Sequence, residues 1–192
     1  MNPSTSNPPS NSEPVIAATR RWVARVVVGH NLCPFARREL EADSVRFAVS
    51  DAKDEEGLLL ALVEELELLR RLPTIETTLL IHPQVLQDFF DYNQFLGACE
   101  ALLLESGLEG VFQVASFHPD YQFAGTRPED AENYSNRSPY PMLHILREDS
   151  VARAVAGHPD VEGIPERNIA MLEKLGAERL RATLQDCISG EG

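Results

Sequence analysis

Cys33 is the side chain of this sequence best suited to nucleophilic chemistry. It follows an apolar helical pattern and precedes Pro34, a residue type favoured at the first position of a helical turn. A thiol just before such a turn can be acidified by backbone amide dipoles and by a neighbouring base such as His30. Cys33 is therefore a candidate nucleophile, with Asn31 as a candidate ligand-binding neighbour. The alternative is a small buried cysteine that fixes the loop.

A second group of candidates lies in the long segment from His118 to Pro141. This segment has neither helical nor strand periodicity, and compact domains seldom contain so long a loop unless it is functional or disordered. Its aromatic residues argue against disorder. We predict an ordered loop that contributes to a binding site, with Tyr121 as one ligand contact.

The end of this loop is rich in hydrogen-bond donors. Amide, hydroxyl and guanidinium groups together suit a carboxylate, a phosphate or another oxyanion, and they are supplied here by Asn133, Asn136, Arg137 and Ser138. We predict that a small anionic ligand binds at these residues. The alternative is that the amides cap turns and that Arg137 pairs with Asp130 or Glu132.

Histidines bracket the same loop. If the strand after the loop runs antiparallel to the strand before it, His144 begins at the edge where His118 ends. Both imidazoles would then face one cavity as acid/base groups. A divalent metal at this pair is an alternative, but the spacing matches no recognised ligand motif, so no metal site and no cofactor are predicted. His82 ends another strand in the same His-Pro dipeptide and is a further candidate ligand contact; the alternative is that it only ends the strand.

The elements that must position these residues follow from the periodicity of apolar side chains. Helical patterns cover residues 12–28, 54–72 and 83–105 and begin again at Pro165, while strand patterns cover residues 45–49, 77–81, 111–117 and 142–146. This order predicts an α+β (or α/β) fold with a single four-stranded mixed sheet. The sheet has a β-α-β-α-β-β core, flanked by an N-terminal helix and C-terminal helices.

The connections between these strands predict where a ligand would bind. Strand-helix-strand crossovers favour parallel strands with right-handed connections. The first three strands should therefore end at the same edge of the sheet, which is where open α/β sheets bind ligands.

Charge and composition exclude several function classes. The chain has 192 residues, with 17 Lys and Arg against 30 Asp and Glu and a formal charge of -13. It should therefore repel nucleic acids and anionic membrane surfaces. No apolar run is long enough to cross a bilayer. The sequence contains no signal for an oligomeric state.

The ends of the chain and its cysteines indicate the domain organisation and the compartment. Residues 1–13 are rich in Pro, Ser and Asn and lack the pattern of a secretory signal, so we predict a disordered tail followed by a single globular domain over residues 14–188. The three cysteines are far apart, which favours reduced thiols and a cytoplasmic protein.

The residues around Cys33 resemble the active site of a known redox family. Cys-Pro-Phe-Ala, with Ala36 where a dithiol enzyme has its second cysteine, is similar to the single-thiol form of glutaredoxins, and a strand pattern over residues 45–49 follows. The resemblance covers about twenty residues and implies a single-thiol redox protein that uses Cys33.

A longer resemblance covers most of the chain, from Thr19 to about Lys174. Its motifs are NLCPFA at 31–36, TTLLIHP at 77–83, FQVASFHPDYQFAG at 112–125, NYSNRSPYP at 133–141 and HILRE at 144–148. On these motifs the chain resembles a bacterial family of uncharacterised proteins, number fourteen-fifteen in the series of domains of unknown function. The resemblance implies membership of the family and no particular activity.

Together these patterns favour a small-molecule enzyme or binding protein. Its pocket would be built from the Cys33 loop and the His118–His144 loop at one sheet edge. Arg137 and Asn136 would hold an anionic group, His118 or His144 would act as acid or base, and Cys33 would be the nucleophile. The alternatives are a non-catalytic regulatory or interaction domain and the single-thiol redox protein.

Overall fold

The computed structural model of the chain describes residues 12–190, so residues 1–11 of the predicted tail lie outside the described part. The elements are α1 (Ser12–Trp22), a π-helical segment (Val23–Val28), α2 (Ala36–Glu41), β1 (Val45–Val49), α3 (Glu55–Arg71), β2 (Thr77–Ile81), α4 (Phe89–Glu105), β3 (Phe112–Phe117), a 3-10 turn (Ala131–Ser135), β4 (Met142–Arg147), α5 (Glu148–Ala156), α6 (Ile164–Leu175) and α7 (Ala177–Ser189).

The four strands form one mixed sheet in the order β1-β2-β4-β3. β1 and β2 are parallel, while β4 is antiparallel to both β2 and β3. Consequently β1, β2 and β3 all point the same way, as their crossover connections predict. The α+β fold class and the single four-stranded mixed sheet are confirmed.

The sheet separates two buried clusters of apolar side chains. On one face, which we call the α3/α4 face, leucines of α3 pack with Tyr92 and Phe95 of α4 and with Leu80, Leu143 and Ile145 of the sheet. On the other face, which we call the α1/α7 face, Trp22 packs with residues of the π-helical segment, α6 and α7 and with Phe47, Leu79 and Met142. Because strand side chains alternate between faces, neighbouring residues of a strand belong to different clusters.

Two predicted helices differ from the observed ones near their ends. The pattern over residues 83–105 becomes a helix only from Phe89, because Leu86 adopts a left-handed backbone conformation with φ 56° and Asp88 caps the helix instead. The terminal helix divides into α6 and α7 at Gly176, where φ is 80°. Neither backbone conformation continues a right-handed helix.

The cap of α4 offers a test of how the fold is held. The Asp88 carboxylate accepts hydrogen bonds from the backbone N–H groups of Phe90 and Asp91 at 2.8 and 3.1 Å. Asp88→Ala should lower the free energy of unfolding by about 1 kcal/mol, because both amides lose their acceptor. Chemical denaturation measures the effect. Asp88→Asn keeps a capping oxygen and should be nearly neutral, so an equal loss in both variants would contradict the capping role.

Candidate functional site

A cavity of about 310 Å³ lies on the α1/α7 face of the sheet. Its walls come from the end of α1 and the π-helical segment, from the Cys33 loop and α2, and from α5. The lining is mainly apolar and includes Trp22, Val27, Phe35, Phe117 and Val151. A cavity with such walls favours the apolar part of a ligand.

The strand register fixes where this cavity lies. Val45, Thr77, Leu146 and Gln113 form one row across the sheet, and all four line the cavity. This row lies where the three parallel strands begin. The cavity therefore lies mainly over the amino-terminal halves of β1 and β2, and it reaches the predicted carboxyl edge only at Phe117 of β3.

The carboxyl edge is occupied differently. The long loop folds back on β3 there, with the backbone N–H of His118 donating to Asn136 O at 3.2 Å and the N–H of Ser138 donating to His118 O at 3.4 Å. An open depression beside this edge is lined by residues 53–56 and 85–87 and by Asp91. None of the predicted site residues belongs to that lining.

His144 is the imidazole that faces the cavity, and its hydrogen bonds define its tautomer. The Thr77 hydroxyl donates its single hydrogen to Ile145 O at 2.7 Å, and the same hydroxyl oxygen lies 2.8 Å from His144 Nε2. Nε2 must therefore carry a hydrogen and donate it to Thr77, which leaves Nδ1 with a lone pair. Within residues 12–190 Nδ1 makes no hydrogen bond, and His144 belongs to the cavity lining, so this lone pair is available to a ligand in the cavity.

Burial also fixes the charge of this histidine. Removal of the ring from water lowers the pKa of His144 to about 4, because desolvation disfavours the imidazolium form. At neutral pH the side chain is therefore uncharged and acts as a hydrogen-bond acceptor through Nδ1.

Cys33 lies in the wall of the same cavity. The thiol is half-buried and is not part of a disulfide, and α2 begins three residues later at Ala36. Trp22 lies in the wall as well, with its ring edge against Phe117 at a centroid distance of 5.1 Å. Its buried indole N–H has no hydrogen-bond partner among the residues that the structure describes. The structure thus brings together two of the predicted catalytic residues, Cys33 and His144.

His118, the third predicted catalytic residue, lies on the other side of the sheet. Its ring contacts Tyr92 and Phe89 of α4 at centroid distances of 5.1 and 5.4 Å. Phe117 pairs with Met142, and His144 lies two residues after Met142, so His144 and Phe117 share one face of the sheet. His118 directly follows Phe117 and therefore turns to the opposite, α3/α4 face. The single site that would contain both histidines is therefore not formed.

The hydrogen bonds of His118 and of its neighbour His82 are internal. His118 Nε2 lies 3.2 Å from Leu86 O, and Nδ1 accepts from the backbone N–H of Asp120 at 3.0 Å. His82 Nδ1 donates to Val85 O at 3.0 Å, while Nε2 is buried without a partner. Burial lowers the pKa of both side chains, that of His82 to about 4.

The polar residues of the long loop hold the loop itself. Arg137 is buried and donates to Tyr121 O at 3.1 Å and to Pro128 O at 2.7 Å, with its guanidinium over the Tyr134 ring. It pairs with neither Asp130 nor Glu132, and Asp130 instead forms an ion pair with Arg127. The Arg137 donors that were predicted to hold an anion thus contact backbone carbonyls.

The other predicted donors are used in the same way. Asn133 accepts from the Phe123 N–H and donates to Arg127 O, Asn136 donates to Ser116 O, and Ser138 donates to Tyr140 O. The predicted ligand contact Tyr121 packs its ring on Phe89 and Phe123. Asn31 lies apart, in a surface depression that also includes His158 and Arg167.

The sequence did not identify several residues of the cavity. Trp22 and Phe117 were assigned only to a helix and a strand, and α5 was not predicted. The available signal was the position of His144. It lies two residues after Met142 and two residues before Leu146 in a strand, so it shares their buried face of the sheet. A polar side chain on such a face requires either a partner or a ligand.

Two features are absent from residues 12–190: a cluster of metal-ligating side chains and a helix suited to crossing a membrane. In that range, no three His, Cys, Asp or Glu side chains lie close enough together to hold a metal ion. None of the helices in the same range is both long enough and apolar enough to pass through a membrane.

The fold and the cavity define a class of protein: an α+β domain with helices on both faces of one mixed sheet and an apolar cavity under one helical layer. The chain matches the model of the family described as "Protein of unknown function (DUF1415)" over residues 14–182. It therefore belongs to this family, as its motifs indicated. No curated protein and no solved structure gives a significant match.

The contacts of Arg137 predict a structural effect of its removal. Arg137→Ala should lower the free energy of unfolding by about 2 to 3 kcal/mol, because two backbone carbonyls lose their donor and the Tyr134 ring loses its contact. The matched control is Arg127→Ala, since the Arg127 side chain is 80% exposed; it should change the melting temperature little. Equal melting temperatures for wild type and Arg137→Ala would contradict the structural role.

The buried state of His144 predicts a pH dependence. Its pKa is about 4 in the folded protein and rises to the ordinary 6.5 on unfolding, so the unfolded chain binds more protons between these values. Stability is thus complete above pH 6.5 and is lost as the pH falls towards 4. The contribution of His144 should reach up to about 3 kcal/mol.

A variant separates this contribution from that of His82. His144→Gln keeps a hydrogen-bonding group beside Thr77 but has no titratable ring, so its free energy of unfolding should fall less steeply with decreasing pH. Denaturant unfolding at several pH values measures the slopes. Identical slopes in the variant and the wild type would exclude His144 as a source of the pH dependence.

Proposed function

We propose that this chain binds a small, mainly apolar molecule in the cavity and that His144 Nδ1 accepts a hydrogen bond from it. The observation that carries the proposal is the unpartnered lone pair of His144 in an apolar cavity of about 310 Å³. This volume is at the lower end of the range of roughly 300 to 1,000 Å³ that small-molecule pockets cover. A ligand with one hydroxyl or N–H group on an apolar body would satisfy both features.

The charge state of His144 favours binding over proton transfer. A general base works best when its pKa lies near the working pH. The pKa of His144 is lowered to about 4 by burial, which makes Nδ1 a weak base but leaves it a good hydrogen-bond acceptor. The enzyme hypothesis, with Cys33 as nucleophile, stays a prediction that depends on the same cavity.

The chain contains a built-in reporter for ligand binding. Trp22 is the single tryptophan of the sequence and lines the cavity. Cyclohexanol should therefore cause a saturable change in tryptophan fluorescence. Ala154→Phe, which places a ring at the cavity wall, should abolish this change.

The control for this experiment lies on the same helix. Ala152 is exposed and does not line the cavity, so Ala152→Phe should bind cyclohexanol like the wild type. The proposal would be overturned if cyclohexanol produced no saturable change, or if both phenylalanine variants responded alike.

The hydrogen bond to His144 can be tested with a probe that lacks the hydroxyl group. Methylcyclohexane has a similar size to cyclohexanol but no donor. His144→Leu should weaken cyclohexanol binding by about three- to tenfold, the usual value of one hydrogen bond, and should not weaken methylcyclohexane binding. Equal weakening of both probes would show that His144 acts through shape alone.

A second candidate function is a non-catalytic interaction or regulatory domain. The observation in its favour is that His118, Asn133, Asn136 and Arg137 each form a hydrogen bond to a backbone group of the protein. In this candidate the long loop is a rigid surface element. It is favoured if no small molecule affects Trp22 while Arg137→Ala and His118→Ala mainly lower the melting temperature.

A further inference from the structure

Two carboxylates lie at the border of the cavity. Glu39 of α2 and Glu76, the residue before β2, are both half-buried and both belong to its lining. Both residues contact Ser44, since Ser44 Oγ donates to the Glu39 carboxylate at 2.7 Å and Ser44 O accepts from the backbone N–H of Glu76 at 2.9 Å. This side of the cavity is therefore negatively charged.

The basic residue in the same lining does not neutralise these carboxylates. Arg147 has its guanidinium on the other side of the sheet, over the Phe112 ring, where it donates to Leu69 O and Leu72 O at the end of α3. A cation at this position interacts favourably with the negative end of the helix dipole. Arg147 forms no ion pair with Glu39 or Glu76.

The other positive charges near the two carboxylates belong to exposed side chains. Arg153 of α5 is exposed and donates to Ser150 Oγ at 2.9 Å. Arg38 contacts Glu39 at 3.4 Å, but its side chain is 90% exposed, and ion pairs of exposed side chains contribute little. Glu76 accepts a hydrogen bond from the neutral Ser150 hydroxyl. His144 is uncharged at neutral pH because burial lowers its pKa to about 4.

We propose that the ligand of this cavity is an amphipathic amine, whose ammonium group lies beside Glu39 and Glu76 while its apolar part enters the cavity. The inference rests on the proposed function: it adds a cationic group at the border to the hydroxyl or N–H group that donates to His144. An ammonium at the border stays partly hydrated and gains two opposite charges, so it avoids the cost of full burial. An anion at the same place would meet two like charges.

This inference replaces the anionic ligand predicted from the sequence with a cationic one. The earlier prediction depended on the donors of Arg137 and Asn136, which contact backbone carbonyls on the long loop. The cavity that contains Cys33 and His144 instead carries carboxylates.

Three probes with the same apolar chain test the charge of the ligand. n-Hexylamine, 1-hexanol and hexanoate are titrated at neutral pH and low salt, with Trp22 fluorescence as the readout. Hexylamine should bind about tenfold more tightly than hexanoate, with hexanol between them, and added salt should reduce the difference. Hexanoate binding as tightly as hexylamine would overturn the amine assignment while leaving the proposed function intact.

A pair of double variants tests the carboxylates. Glu39→Gln/Glu76→Gln keeps the shape and the hydrogen-bond acceptors but removes both charges, and it should abolish the preference for hexylamine over hexanol. Glu41→Gln/Glu105→Gln changes two exposed glutamates and so makes the same change in net charge; it should retain the preference. If both variants keep the preference, or both lose it, the assignment to Glu39 and Glu76 is wrong. If no probe affects Trp22, the proposed function itself fails.

Discussion

The insertion of β4 between β2 and β3 is the constraint on which the rest of the structure depends. The crossover connections leave β2 and β3 parallel, with one empty strand position between them. The loop after β3 starts and ends at the same edge of the sheet, so the strand that fills this position, β4, must be antiparallel to both neighbours. The Tyr92 hydroxyl joins the two strands at that edge, since it donates to Met142 O at 2.8 Å and accepts from the Phe117 N–H at 3.1 Å. The register between β3 and β4 that is set at this edge decides which face of the sheet each side chain of β4 occupies.

Because of this register, the polar residues on the two faces of the sheet have opposite roles. On the α3/α4 face and in the long loop, His118, Arg137 and Asn133 are buried and each forms hydrogen bonds to backbone atoms. Such saturation is what buried polar groups normally require. On the α1/α7 face, His144 keeps a lone pair in an apolar cavity. The polar residues of the long loop thus make internal contacts, while His144 inside β4 faces the cavity.

The distribution of charge follows the same division. The guanidinium groups of Arg137 and Arg147 are held by backbone carbonyls, away from the cavity. Glu39 and Glu76 lie at its border, where Ser44 contacts the Glu39 carboxylate and the backbone N–H of Glu76. Carboxylates that are fixed beside an apolar cavity favour a cationic ligand more strongly than mobile surface carboxylates do. The reason is that the apolar lining reduces the screening of their charge by water. The local arrangement, more than the formal charge of -13, sets the kind of ligand that the site favours.

The sequence by itself determined the four strands, the longer helices apart from their ends, the parallel direction of the first three strands and the family. These properties depend on local periodicity, on the hand of crossover connections and on long motifs, all of which are written along the chain. It also identified Cys33 and His144 as candidates. Only the tertiary structure decided that these two share a cavity, that His118 lies on the other face and that Arg137 holds its own loop. The physical reason is that successive strand residues face opposite sides of the sheet. The register of β3 and β4 therefore decides which side chains lie together on one face, and no local sequence pattern encodes that register.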